Sequence, residues 1–189
     1  MANFISEQQI VNEEYFIDNY IFSKLNEKYA DIDYKTVMGS LNEIQNVFGG
    51  NDNWASASLT YADNLISIKR HEKEFDEKKS FTFCILSKNS REYLGCIYIK
   101  PIKVKTDLDL RKLYYDAQIL FWTVAKNNIS IDDEVYKNIL HFIKNEWSFK
   151  RVAYPGRNIS WENWENMKIG IYINDRDLCP HVGEYHGKE

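Results

Sequence analysis

The sequence contains few residues that break secondary structure or cross-link a chain. It has eight glycines and three prolines among 189 residues, and no Gly-, Pro- or Ser-rich stretch marks a linker between domains. Its three cysteines are an odd number, and Cys84 and Cys96 lie in strand-like runs where a reduced thiol behaves as a small apolar side chain. No disulfide framework is therefore predicted. We expect one domain over residues 1–189, with mobile ends at about residues 1–15 and 175–189.

The sequence also lacks a long apolar run and an excess of positive charge. No run approaches the roughly 20 residues of a membrane-spanning helix, and the first residues have neither the basic nor the apolar segment of a signal peptide. The net charge is -4 and the pI about 5.7, with acidic and basic residues interleaved. This pattern gives no electrostatic footprint for nucleic acid or an anionic membrane. We therefore expect a cytoplasmic monomer or homodimer whose partner is a small molecule or a peptide.

Apolar and aromatic residues, in contrast, are abundant and occur in periodic patterns. Hydrophobic residues make up 44% of the chain and aromatic residues 15%, which is enough for a sizeable core. Predicted strands cover residues 20–25, 80–87, 93–102, 116–125, 150–157 and 169–173. Predicted helices, from apolar residues at helical spacing, cover residues 34–48, 61–75, 135–147 and 160–168. The predicted fold class is α/β (α+β), with a mixed, mostly antiparallel sheet of about six strands flanked by helices.

The run DAQILFWTVA, residues 116–125, is almost continuously apolar. This is typical of a strand that is buried on both faces, so we place it at the centre of the sheet, antiparallel to residues 93–101. A helix and another strand follow, which predicts a crossover connection between parallel strands. Four consecutive side chains of the run are expected to be nearly inaccessible: Ile119, Leu120, Phe121 and Trp122.

The order of these elements resembles the GNAT acetyltransferase superfamily. In that superfamily two helices follow the first strand, a three-strand antiparallel meander follows them, and acetyl coenzyme A binds at the end of the fourth strand. The resemblance covers roughly residues 20–173. It implies that acetyl coenzyme A is a co-substrate and that the protein is an N-acyltransferase, which moves an acetyl group to a primary amine of a small molecule or peptide.

The loop that matches the superfamily's cofactor loop is KNNISI, residues 126–131, and it lacks every expected glycine. It still supplies a cation and several hydrogen-bond donors, and the YPGRN segment after the next predicted strand could add to them. The cofactor-binding residues that the resemblance implies are Lys126, Asn127, Asn128, Ser130, Arg157 and Asn158. The loop alone also allows a second interpretation, because Ser130 and Asp133 have the spacing of a helix capping box. In addition, Asp132 would repel a phosphate at the helix start.

A second departure concerns the tyrosine that often protonates the leaving thiolate in the superfamily. Counting forward from Asn158 puts that position on Glu165, and counting back from Gly170 puts it on Asn166. Neither is a tyrosine. The alternative hypothesis is therefore a non-catalytic binding or interaction module with a GNAT-like fold.

Candidates for the general base that would deprotonate the amine are Asp116, at the start of the apolar strand, and Tyr98 on the adjacent strand. Trp54, between the first two predicted helices, is a candidate for the acceptor pocket. The segment CPHVGEYH, residues 179–186, matches no structural zinc motif, so no metal site is predicted. His71 is expected on the solvated face at a helix end.

Overall fold

The computed structural model describes residues 4–49, 52–124 and 129–171, without the side chains of residues 129 and 130. The strands are β1 Glu14–Ile17, β2 Tyr20–Lys24, β3 Phe81–Ser87, β4 Tyr93–Pro101, β5 Ala117–Thr123 and β6 Val152–Ala153. The helices are α1 Ala30–Gly39, α2 Leu41–Ile44, α3 Tyr61–Asp76, α4 Arg111–Tyr114, α5 Ile129–Glu146 and α6 Trp161–Lys168.

The strands form one six-stranded sheet in chain order, β1 to β6. All neighbouring pairs are antiparallel except β5 and β6, which are parallel and joined by α5. The predicted hairpin between β3 and β4 and the predicted crossover through α5 are both confirmed. The predicted fold class, a mixed and mostly antiparallel sheet flanked by helices, is confirmed as well.

The two faces of the sheet pack against different helices. In β4, Ile97 and Ile99 belong to the core cluster that contains the apolar face of α5. The alternating residues Cys96 and Tyr98 belong to the cluster that contains α1 and α3 side chains. This division follows from the period-two geometry of a strand. The sheet is therefore the middle of three layers, and any ligand that enters between strands meets both helical layers.

Part of the segment before β2 packs against the rest of the protein, while the expectation of mobile ends stays a prediction. Strand β1, which was not predicted, pairs with β2 from Glu14↔Ser23 to Ile17↔Tyr20. Before it, Phe4 stacks on Phe149 with ring centroids 5.2 Å apart, and Ile5 is buried. A four-residue strand among charged residues carries too weak a periodic signal to be recognised from sequence.

The single helix predicted over residues 34–48 is wrong in its bounds. Helix α1 begins earlier, at Ala30, and the chain leaves helical geometry at Ser40, whose φ and ψ are -119° and 16°. A separate four-residue helix, α2, follows. The second long helix, predicted over residues 61–75, is confirmed as α3. Its start is a capping box in which Thr60 and Asp63 bond each other's backbone N–H.

Strand β5 is buried as predicted but is not central. It is fifth of six strands and is followed only by the two-residue β6. Phe121 and Trp122 are buried, as is Ile119, whereas Leu120 is only half-buried because it lines a cleft beside β6. The last predicted strand, residues 169–173, is not formed over residues 169–171, and its remainder lies outside the described ranges.

Candidate active site between two diverging strands

The two parallel strands of the sheet pair only at their beginnings and then separate. Ala117 pairs with Val152 and Gln118 with Ala153, and no further pairing of β5 with β6 follows. The strands diverge around a cleft of about 340 Å³. Its lining includes β5 residues 119–121, residues 155–157 after β6, Asp132 at the start of α5, and Trp161.

Divergence leaves one edge of β5 without a strand partner. Over residues 119–123, within the part of the chain that the structure describes, only β4 is paired to this strand. Main-chain groups of β5 are therefore available to hydrogen-bond an extended ligand that carries amides, in the manner of an added strand. The cleft lies at the carboxyl ends of two parallel strands and at the N-terminus of a crossover helix, the place where open sheets commonly bind ligands.

The loop singled out by the sequence is mostly outside the described residues. Lys126, Asn127 and Asn128 fall in that gap. Helix α5 begins at Ile129, so Ser130 lies within its first turn instead of preceding it. The alternative in which Ser130 and Asp133 form a capping box depends on a side chain outside the described ones, so it stays a prediction.

Arg157 lines the cleft, where an acidic partner holds it, and its binding to a cofactor stays a prediction. Its Nη1 donates to Asp132 Oδ2 at 2.5 Å and its Nη2 to Asp132 Oδ1 at 3.1 Å. The buried hydroxyl of Thr123 donates to the same carboxylate at 3.2 Å. The guanidinium carbon also lies 4.5 Å from the ring centre of Phe121, a cation–π contact.

This ion pair puts a fixed negative charge inside the cleft. The Asp132 side chain is 9% exposed and that of Arg157 26%. A carboxylate in the first turn of a helix is stabilised by the helix dipole, and it occupies the guanidinium fork that a phosphate would use. Asp132 was expected to repel a phosphate at the helix start. Its carboxylate would also compete with the phosphate directly, because it is bonded to Arg157, the candidate cation.

Asn158 stabilises the loop that follows β6. Its Oδ1 accepts a hydrogen bond from the backbone N–H of Tyr154 at 2.8 Å, and its Nδ2 donates to the carbonyl of Val152 at 3.3 Å. Both groups of the amide therefore contact this chain's own backbone. The residue shapes the wall of the cleft, and binding of a cofactor through Asn158 stays a prediction.

Asp116 is not brought to the cleft. It precedes β5, five residues and about 17 Å of strand before Phe121. Its carboxylate accepts backbone N–H groups of Lys150 at 3.0 Å and Arg151 at 2.9 Å, and Arg151 Nη2 at 2.9 Å. Although burial opposes the effect, these bonds lower its pKa. Such a carboxylate is a weaker base than a free one, and its contacts anchor β6 to β5.

Tyr98 and Trp54 belong to one aromatic cluster on the α1 and α3 side of the sheet. Burial raises the pKa of Tyr98 well above its usual value, which disfavours the phenolate, and its role as a general base stays a prediction. Its hydroxyl accepts from Trp122 Nε1 at 3.3 Å. The Trp54 ring packs on Phe48 and Trp122, with centroid distances of 5.1 and 5.6 Å. Trp54 thus covers the core, while its neighbours Asn53 and Ala55 line a separate polar cleft.

His71 is a candidate site residue that sequence analysis placed on the solvated face of a helix. It is 9% exposed, and its ring lies 5.4 Å from that of Tyr98. Its pKa is lowered to about 4, first by burial and then by the charges of Lys100 and Arg70. The burial of His71 could have been recognised from the apolar spacing of α3. His71 falls three residues after Ile68 and four before Phe75, both buried on the same helix face.

Two further findings concern the described residues as a whole. None of their helices combines the length and apolarity that crossing a membrane requires. Among the same residues, no three His, Cys, Asp or Glu side chains are grouped closely enough to hold a metal ion.

No protein-family model and no curated protein matches the sequence. Solved structures do match the chain path, and all those compared next are acetyltransferases. An acetyl transferase from Salmonella typhimurium, which modifies the N-terminal serine of ribosomal protein L7/L12, matches with a TM-score of 0.48 and 10% identity, over 69% of this chain and 67% of that chain. The ribosomal-protein-S5-alanine acetyltransferase from Vibrio fischeri matches with a TM-score of 0.46 and 8% identity, over 70% and 67%.

The microcin C7 self-immunity acetyltransferase MccE, in complex with acetyl-CoA and AMP, has a TM-score of 0.45 and 15% identity, over 74% of this chain and 68% of that chain. Each match spans about two thirds of the solved chain or slightly more. At TM-scores below 0.5 the likeness concerns the chain path and not the activity. The proposed function therefore rests on the cleft itself.

Proposed function

We propose that the protein is an N-acyltransferase that takes an acetyl group from acetyl coenzyme A and transfers it to a primary amine of a small molecule or peptide. The observation that carries this proposal is the divergence of β5 from β6 after Gln118↔Ala153. It opens a cleft whose one wall is an unpaired strand edge and whose end is a helix N-terminus. An extended diamide with an anionic end is complementary to that combination.

The residues that would hold the donor divide between the two ends of the cleft. The unpaired edge of β5, residues 119–123, offers main-chain donors and acceptors to the pantetheine amides. Arg157 is the described cation nearest the helix start, so it would meet the pyrophosphate only by giving up its bonds to Asp132. Acetyl coenzyme A, when bound, supplies the thioester carbon that the neutral amine attacks. We expect a modest affinity for acetyl coenzyme A, because the Asp132 carboxylate competes with the pyrophosphate for Arg157.

The test compares three variants by calorimetric titration with acetyl coenzyme A and by thermal unfolding. We expect Arg157→Gln to weaken binding about 10-fold or more, since a hydrogen bond to a charged group contributes about 1.5 to 3 kcal/mol. We expect Asp132→Asn to strengthen binding, because it frees the guanidinium while keeping an acceptor for Thr123. Both substitutions should lower the melting temperature, as each leaves one partner of a mostly buried pair alone. Affinity and stability thus move together in one variant and apart in the other.

Arg151→Gln is the matched control. Arg151 also pairs with an aspartate, Asp116, but at the opposite end of β5. Its loss should leave affinity for acetyl coenzyme A unchanged. If neither the parent nor Asp132→Asn binds acetyl coenzyme A at millimolar concentration, the transferase proposal is wrong.

The second candidate, a non-catalytic module with this fold, is favoured by the Asp132–Arg157 pair. In that case the pair closes the phosphate end of the cleft permanently. Asp132→Asn would then lower the melting temperature without creating any affinity for coenzyme A.

A further inference from the structure

A second cleft, of about 300 Å³, lies on the α3 side of the sheet and is lined mainly by basic side chains. We call it the basic cleft. It is lined by Arg70, His71, Glu74, Ser80, Lys100, Pro101, Lys103, Arg111 and Gln118. They come from the second half of α3, the residue before β3, the end of β4, the segment between β4 and α4, the first residue of α4, and the beginning of β5.

Lys100 is the central cation of the basic cleft. It is half-buried, and burial lowers the pKa of its ammonium, with Arg70 and Lys103 adding to that effect while Glu74 opposes it. Its Nζ lies 4.9 Å from the ring centre of Tyr98. No carboxylate of the described residues lies within ion-pair distance of it, 4.0 Å. A half-buried ammonium without an ion pair is a position at which a bound anion would supply the missing charge partner.

The acidic groups near Lys100 have other partners. Glu74 Oε2 accepts a hydrogen bond from Ser80 Oγ at 2.7 Å. Arg111 is neutralised by Asp109, with Nη2 to Oδ2 at 2.6 Å. Asp52, which also acts on Lys100 through its charge, lies outside the lining and accepts the backbone N–H of Trp54 at 2.8 Å. Among the described residues, Arg70, Lys100 and Lys103 form no ion pair, and their three positive charges exceed the one negative charge of Glu74.

His71 supplies an independent sign that a ligand belongs here. Its Nδ1 is buried and has no hydrogen-bond partner, since Glu74 Oε2, at 3.6 Å, is beyond hydrogen-bond reach. A buried ring nitrogen without a partner costs about 1 to 3 kcal/mol. A group bound in the cleft would give this nitrogen a partner, whereas the surrounding cations cannot accept a hydrogen bond.

The basic cleft lies close to the cleft between β5 and β6. Gln118 lines the first and Leu120 lines the second. These are alternate residues of β5, so they project from the same face and are about 7 Å apart along the strand. The two clefts are therefore neighbours along β5.

We propose that the basic cleft binds the oxyanion, a phosphate or carboxylate, of the small molecule that accepts the acyl group. The identification of the ligand as the acyl acceptor rests on the proposed transferase function, whereas the binding of an anion in the basic cleft does not. The acceptor is thus a compound that carries both an amine and an oxyanion. Lys100 and His71 contact the oxyanion, and the positive charges of Arg70 and Lys103 offset its negative charge.

The anion site is tested with inorganic phosphate alone, in the absence of any acyl donor. The ring resonances of His71 in a ¹⁵N-labelled sample report binding locally. We expect them to shift on titration, and we expect Lys100→Met to weaken phosphate binding about 10-fold or more. Lys100→Arg keeps the charge and should retain binding. Lys137→Met, which removes an exposed lysine of α5, is the matched control and should behave as the parent. Phosphate that leaves the His71 resonances unmoved, or binds the parent and Lys100→Met equally, overturns the proposal.

The role in acceptor choice is tested with two amines of equal length, 5-aminopentanoate and pentylamine. We expect the parent to acetylate the amino acid at least 10-fold more efficiently than pentylamine, and Lys100→Met to bring the ratio of the two efficiencies close to one. If acetyl coenzyme A does not bind but phosphate does, the transferase proposal fails and the anion site stands. If both amines react equally in the parent, the anion site is not part of the acceptor pocket and the inference is wrong.

Discussion

At the scale of single residues, the surroundings of a carboxyl group shift its pKa in either direction. Asp116 and Asp33 are both aspartates, yet hydrogen bonds lower the pKa of the first while burial raises the pKa of the second. Asp33 is a buried residue of α1, and its carboxylate accepts hydrogen bonds from Tyr93 at 2.5 Å and Asn64 at 2.8 Å. Each carboxylate is used for packing elements together. Neither is free to act as a base in the cleft between β5 and β6.

His71 allows a prediction of how stability depends on pH. Its pKa is about 4 in the folded protein against 6.5 in an unfolded chain. Between these values the unfolded chain binds a proton that the folded protein does not, so stability falls as pH decreases from 6.5 toward 4. The steepest slope is about 1.4 kcal/mol per pH unit. Urea unfolding at several pH values down to about 5 should show this loss.

His71→Gln should flatten that slope, while His141→Gln, at an exposed histidine of α5, should not. The groups that face His71 are Glu74, Lys100 and Arg70. Of these only Glu74 titrates near the acidic range. Its pKa is lowered below 4.5, so its own contribution is lost at still lower pH. A parent whose stability is constant from pH 6.5 to 5 would contradict a buried, neutral His71.

At the scale of secondary-structure elements, β4 depends on a close approach of two backbones. Gly95 has φ +151°, and a Cβ there would lie 1.9 Å from the carbonyl oxygen of Trp122 in β5. The residue sits at a shift of register, where Ile85 pairs with Gly95 but Leu86 pairs with Tyr93. This bulge keeps Cys96 and Tyr98 on the α1 and α3 face. The orientation of the aromatic cluster thus depends on one glycine.

We predict opposite effects for two glycine-to-alanine substitutions. Gly95→Ala should destabilise the fold by about 2 to 3 kcal/mol, because the methyl group meets backbone that cannot move aside. Gly39→Ala should stabilise it by about 0.5 to 1 kcal/mol, since Gly39 is in α1 and a Cβ there meets nothing within 4 Å. Chemical denaturation measures both. Equal effects of the two changes would contradict the close approach of β4 and β5.

At the scale of the whole molecule, the five tryptophans are distributed over the packed layers. Trp147 lies in the core cluster with α5, Trp122 in the cluster with α1 and α3, and Trp164 in the smaller cluster with α6. The sheet contributes side chains to each of the three clusters. A disturbance in one layer is therefore transmitted through shared strands.

This arrangement predicts a single cooperative unfolding transition. Thermal melts followed by tryptophan fluorescence, which reports the packed layers, and by far-ultraviolet circular dichroism, which reports the helices and sheet, should have the same midpoint. The result would support one domain over the chain. Two separated midpoints would instead indicate that the α6 cluster unfolds by itself.

The sequence by itself determined most of the elements and their arrangement. Strands β2 to β5, helices α3 and α5 and the crossover were predictable because their apolar residues recur with periods of 2 or 3.6 over long segments. The short elements β1 and α4 were missed, α1 and α2 were predicted as one helix, and the place of β5 in the sheet was misjudged. Short segments hold too few residues for a period to be recognised, and an apolar run reports burial without reporting strand order.

The functional residues divide for a different physical reason. Arg157 could be placed near the cleft from its position in the sequence, at the end of the strand to which the crossover leads. Its pairing with Asp132, 25 residues away in the sequence, and the grouping of His71 with Lys100 could not be predicted. Local patterns report which face of an element is apolar, whereas ion pairs and clefts form between elements far apart in the chain. Only the tertiary structure brings those side chains within a few ångströms, and at that distance charge and burial decide their chemistry.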